Sequence, residues 1–138
     1  MELTFTYLAL LFYLSASLAY MGSLAARPGK LLRVAGILAR AGFVLHTGAL
    51  AVHLYQQGHP PANLADWLAF YAWAIVAVYI VTEAHYESKV IGSFAIPLVL
   101  LLLGASAALP KTIETLSPPL KNFGVWMHVI LTLLGNAA

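Results

Sequence analysis

From Leu3 to Ala26 the chain carries no charged residue. A helix over that stretch rises 1.5 Å per residue and spans about 36 Å, enough to cross a hydrocarbon core about 30 Å thick. Comparable apolar runs follow at about Val34–Gln56, Leu64–Thr82 and Val90–Leu109. A fifth begins near Phe123 and reaches Ala138; it covers about 24 Å and falls short of that thickness. No strand or hairpin pattern competes with the helical reading. The expected fold is all-α, a polytopic transmembrane helix bundle with four full spans plus a partial fifth. Residues 1–138 read as a single transmembrane domain, the N-terminal fragment of a longer membrane protein or one half of an assembly.

The overall balance agrees. Only 9% of residues are charged and 62% are apolar, with a mean hydropathy of +0.86. Soluble domains carry about 25% charged residues, so lipid is the natural solvent for most of this surface. There is no cysteine, which excludes disulfides, Cys-ligated zinc and thiolate ligation of heme or iron–sulfur clusters. Seven Lys/Arg stand against five Asp/Glu. They form no basic face, so the excess speaks of topology and not of a nucleic-acid partner.

Topology follows from where the charges fall. The n-region holds Glu2 and neither Lys nor Arg, and the first run is too long for a signal-peptide core, so this helix is retained. Arg27-Pro28-Gly29-Lys30-Leu31-Leu32-Arg33 breaks the first span with three positive charges. The positive-inside rule makes this loop cytoplasmic and puts the N-terminus outside, in a bacterial inner membrane. Residues 56–65 then form an outer loop around Gly58 and Pro60-Pro61, with Asn63 or Asp66 capping the third helix. Pro97 is expected to kink the fourth helix, and Pro110–Asn122 forms a second outer loop.

Within the spans, Tyr7, Tyr13 and Tyr20 lie about two turns apart, near one face. Gly36, Gly42 and Gly48 allow close helix approach. Arg40 snorkels toward the inner end. Trp67, Phe70, Tyr71 and Trp73 form an outer aromatic belt.

The histidines carry whatever chemistry is present. His46 and His53 lie seven residues apart, about 10 Å along the axis and about 20° from a shared face. An imidazole inside lipid is costly and has a partner or a function. Two neutral imidazoles can flank a heme iron, so this pair suits a b-type cytochrome or, equally, hydrogen bonding to a neighbouring helix. His59 sits in the outer loop, His85 among inner-surface charges, and His128 near the start of the last run beside Trp126. No nucleophile elbow, His-Glu-x-x-His, phosphate loop or dinucleotide fingerprint occurs. The five carboxylates are expected to form no membrane-embedded pair for proton relay.

The segment Gly58-His59-Pro60-Pro61-Ala62-Asn63-Leu64-Ala65-Asp66, followed by Phe70 and Trp73, resembles the Gly-His-x-Pro…Asn-Leu-x-Glu…Phe…Trp signature of the cytochrome c assembly family. A one-residue gap is needed, and Asp66 stands where the family usually has Glu. Ile96-Pro97 resembles the family's next helix, and Trp126-Met127-His128-Val129 its Trp…His-Val motif. The order holds from about residue 40 to the end. The resemblance implies heme handling, with heme b as cofactor, at the outer face of the membrane in system II cytochrome c biogenesis. It makes His128 an external axial ligand to heme iron, with Trp126 beside it and His59 shaping the outer face. It implies apocytochrome c and a companion assembly membrane protein as partners. This chain alone would not attach heme; its parent would be part of a heme-attachment complex. Relatives without synthase activity give a second reading, a scaffold or regulator of tetrapyrrole synthesis. A small membrane cytochrome using His46 and His53 is a third.

Overall fold

The computed structural model describes residues 1–26, 29–58, 61, 63–86, 90–110, 127–128, 131–132 and 135–136. Its elements are four α-helices: α1 (Glu2–Ala26), α2 (Gly29–Gln57), α3 (Leu64–Tyr86) and α4 (Gly92–Ala108). The first three are long and apolar enough to cross a membrane. The fourth is helical as expected but has 17 residues, about 26 Å of helix, less than a full hydrocarbon crossing. Of the last run, the described residues 127–128, 131–132 and 135–136 are helical, and Tyr71 Oη donates to the Asn136 carbonyl at 3.3 Å.

The helices run longer than the hydropathy pattern alone suggests. Gly29, Lys30 and Arg33 belong to α2, not to a loop, because exposed charged side chains at a helix end need not break it. Likewise α3 continues past Thr82 to Tyr86 and carries Glu83 into the bundle. The far end of α2 is closed by Gly58, whose φ of +66° suits glycine and whose N–H reaches the Leu54 carbonyl at 2.9 Å. Helix α4 continues through Pro97.

At the start of α3, Asn63 takes the cap. Its Oδ1 accepts the Asp66 N–H at 2.9 Å, the third helical residue bonding back to the cap. That leaves the Asp66 carboxylate for another partner. Asn63→Ala should cost about 1 kcal/mol, read from the unfolding midpoint, with Asn63→Asp close to wild type.

Helix α1 packs most extensively on α2, α3 packs on α4, and α1 also lies along α4; α2 and α3 touch less than any of these pairs. Among the buried residues of α1 and α2 are Ala9, Ala16, Ala19, Ala35 and Ala39, small side chains that let backbones approach. Of the three expected glycines only Gly42 is tight: an added Cβ would lie 2.9 Å from the Tyr13 ring, whereas at Gly48 the nearest atom, on Phe5, is 3.8 Å away. Tyr13 and Tyr20 are fully buried and Tyr7 is exposed. Tyr7 and Tyr13 are six residues apart, about 120° around the helix, so they cannot share the buried face. Phe70 is likewise buried, in a small cluster with Leu50 and Ala74, and is no belt residue.

The outward surface is apolar. Leu11, Leu14, Leu18, Ile37, Val44, Val81, Phe94 and Leu101 are all exposed. Polar side chains go inward instead: His46, His53, Asp66, Glu83, Ser93 and Ser106 are buried. Lipid, not water, suits such an arrangement.

Candidate functional site

Two polar clusters sit at opposite ends of the bundle. Antiparallel connection brings the start of α1, the end of α2, the start of α3 and the end of α4 to one end. There His53 Nδ1 lies 3.3 Å from Glu2 Oε1, and His53 Nε2 lies 3.3 Å from Asp66 Oδ1. Three helices therefore meet on one imidazole. Ser106 Oγ donates to the Ala65 carbonyl at 2.6 Å and ties α4 to the same place.

Two turns deeper, His46 Nδ1 faces Tyr13 Oη at 3.4 Å, with the rings edge to face. The other nitrogen, Nε2, is buried with no hydrogen-bond partner. His46, His53, Glu2, Thr6, Asp66 and Ser106 share the wall of one cavity of about 40 Å³, whose remaining lining is apolar. That is far below the roughly 300 Å³ at which small-molecule pockets begin. Among the described residues no group of three or more His, Cys, Asp or Glu is arranged to hold a metal ion.

At the opposite end, Arg40 Nη2 donates to Glu83 Oε2 at 2.7 Å. The Arg40 side chain is 49% exposed and that of Glu83 5%, so the stem snorkels while the head clamps a buried carboxylate. Tyr20 and Tyr79 hydrogen-bond through their hydroxyls nearby, edge to face. On the bundle's flank, Trp73 stacks on Phe43 with ring centres 5.7 Å apart, and its Nε1 donates to Thr47 Oγ1 at 3.0 Å. These contacts bridge α2 and α3, which lie less closely together than α1 and α2 or α3 and α4.

The seven-residue spacing of His46 and His53 is realised, since both rings face inward and share the cavity. His128 is helical and exposed. His85 is exposed and packs on the Tyr86 ring. His59 and Trp126 lie outside the described residues. The expectation that no carboxylates pair inside the membrane is corrected: Glu2 and Asp66 converge on His53, and Glu83 is buried against Arg40. Sequence reasoning placed Glu2 in the n-region and offered Asp66, beside Asn63, as a cap. The signal that could have found them was the face of His53, which an antiparallel first and third helix must both meet at that end.

Comparison with known proteins adds the family. The chain is 31% identical over 107 residues to the cytochrome c biogenesis protein CcsA of Synechococcus sp. strain CC9605, covering 74% of this chain and 35% of that protein. To CcsA of Prochlorococcus marinus strain MIT 9301 it is 36% identical over 86 residues, 59% of this chain and 28% of that protein. To CcsA of Pyropia yezoensis it is 33% identical over 96 residues, 66% and 30% respectively. The chain thus spans about a third of the length of the curated relatives it matches. No family model and no solved structure matches it. On these matches and its long apolar helices, the chain is an integral membrane homologue of the cytochrome c biogenesis protein CcsA family.

Proposed function

We propose that this protein handles heme in cytochrome c biogenesis, presenting heme b at the extracytoplasmic face for attachment to apocytochrome c. The match to CcsA from cyanobacteria and Pyropia carries the reading. His128 is the heme ligand in it. Its imidazole is exposed on a helical segment, away from the cavity that His46 and His53 line. Trp126 packs beside the heme, and His59 with the start of α3 shapes the same outer face. His46 and His53 are given a structural part in this reading, since His53 lies between two carboxylates and His46 faces Tyr13. A companion assembly membrane protein completes the site.

In this reading α1–α4 are the four spans in a bacterial inner membrane, with the N-terminus outside, and the last run is a partial fifth. Exposed Lys30 and Arg33 at the start of α2 then mark the cytoplasmic side. His128→Ala should remove most of the heme that copurifies with the protein from its own membrane, together with the Soret band, while His85→Ala leaves both unchanged. Equal heme content in the His128→Ala protein would overturn the assignment.

A further inference from the structure

The end of the bundle marked by Arg40 has two features that the heme reading leaves unused. The first is basic. Lys30 and Arg33 are exposed near the start of α2, and among the described residues neither has a salt-bridge partner. Three residues apart on a helix, their Cβ atoms stand about 5–6 Å from one another, so both side chains can reach one anion. The acid described at this end, Glu83, is buried and held by Arg40, and α2 has no acidic residue in its first turn. Two positive charges thus remain for an outside partner.

The second is apolar. Ile80, Val81, Ala84 and His85 line an open hollow of about 380 Å³ on α3. Ile80 and Ala84 follow Trp73 by seven and eleven residues, within about 20° of its face. Trp73 rests on Phe43 and Thr47 of α2, so the hollow borders the α2–α3 seam. Arg33 borders that seam from the other side. It precedes Arg40 by seven residues, again within about 20°, and Arg40 reaches α3 at Glu83. Those seven residues put Arg33 about 10 Å nearer the membrane surface than Arg40. Ile80 and Ala84 bracket Glu83 along α3, so the hollow lies at the level of the Arg40–Glu83 pair. The head-group layer of one leaflet is about 5–8 Å deep, so charge and hollow are spaced as a lipid's phosphate is from its upper acyl chain. A free phosphate would leave the hollow empty, and a zwitterionic lipid brings no net charge to Lys30 and Arg33.

We propose that the α2–α3 seam at this end is a binding site for an anionic phospholipid. Lys30 and Arg33 hold its phosphate, and one acyl chain lies in the hollow of Ile80, Val81 and Ala84. Attraction between anionic head groups and basic side chains flanking a transmembrane helix supplies the selectivity. Arg40 stays on Glu83 and does not take part. The site needs a bundle embedded in lipid. It needs neither the heme reading nor a given orientation of the N-terminus, since each leaflet has a head-group layer.

Native mass spectrometry of the full chain, released from detergent, tests this with two lipids of equal chain length, phosphatidylglycerol and phosphatidylcholine. Phosphatidylglycerol should bind roughly thirtyfold more tightly, the contribution of two basic side chains to holding an anionic lipid. Lys30→Gln with Arg33→Gln should abolish that preference. Lys111→Gln with Lys121→Gln, an equal loss of charge elsewhere in the chain, should leave it intact. Glycerol 3-phosphate, which has the phosphate but no chains, should not displace the lipid. Phosphatidylglycerol carrying a photoreactive diazirine high on one acyl chain should label the segment from Ile80 to His85. Equal binding of the two lipids, a preference that survives Lys30→Gln with Arg33→Gln, or an equal loss in both charge variants would overturn the site. So would displacement by glycerol 3-phosphate or the absence of label from that segment. The lipid comparison, the displacement and the labelling use the unmodified protein, so they decide the matter even if a variant fails to fold.

Discussion

Gly92→Ala should be among the most damaging single-methyl changes in this protein, costing about 3 kcal/mol, the upper end for overpacking a tight core. A Cβ at that position would sit 2.5 Å from Tyr20 Cζ and 2.8 Å from its Cε1 and Oη. Tyr20 cannot step aside, being fully buried and hydrogen-bonded to Tyr79. The added methyl therefore pushes α4 off α1, where the two helices pack. Twelve residues along the same helix, Gly104→Ala should act in the opposite direction, because nothing lies within 4 Å of an added Cβ there. Replacing glycine within a helix then gains about 0.5–1 kcal/mol. Unfolding in detergent or bilayer, followed for both variants side by side, checks the pair. Equal stabilities would show that α4 is not seated on Tyr20.

Arg40→Ala should cost about 3 kcal/mol, the low end of the range for breaking a buried pair, since one partner is half exposed. Glu83 is the buried partner, and without the guanidinium at 2.7 Å its carboxylate stays inside the bundle uncompensated. Glu83→Gln should be milder, because a neutral amide is cheaper to bury than an unpaired carboxylate. The double change Arg40→Met with Glu83→Leu should recover most of the stability, as apolar replacements of buried ion pairs commonly do. A double-mutant cycle on the unfolding midpoint measures this coupling directly. If the single and double changes simply added, the pair would not be acting as a unit.

How far the sequence reveals this architecture depends on which property is asked of it. Uncharged runs set the number and rough position of the helices, because lipid-crossing length is a one-dimensional quantity. The inward face of α2 was legible as well, through the seven-residue step from His46 to His53. Partnership was not. Nothing local tells that Glu2 and Asp66 meet on His53, or that Glu83 extends α3 far enough to reach Arg40. Those pairings depend on the rotation of each helix about its axis, which packing of Tyr13 and Tyr20 into the α1 core decides. Asp66 illustrates the ambiguity: its place in the first turn suits a cap, but Asn63 takes that role and frees the carboxylate. The proposed heme side is read only from family resemblance: His59 and Trp126 lie outside the described residues, and His128 stands at the surface.

The arrangement of α1 with α2 and of α3 with α4 has a consequence for biosynthesis. Each hairpin is built from neighbours in sequence, so each can settle in the bilayer as it leaves the translocation machinery. Yet the ties of Arg40 to Glu83, of Tyr20 to Tyr79 and of His53 to Asp66 all cross from the earlier hairpin to the later one. For the time taken to translate the intervening residues, a guanidinium and a phenol wait beside lipid for companions the ribosome has not yet made. Assembly of this protein is thus ordered in time, with the second hairpin completing what the first leaves open.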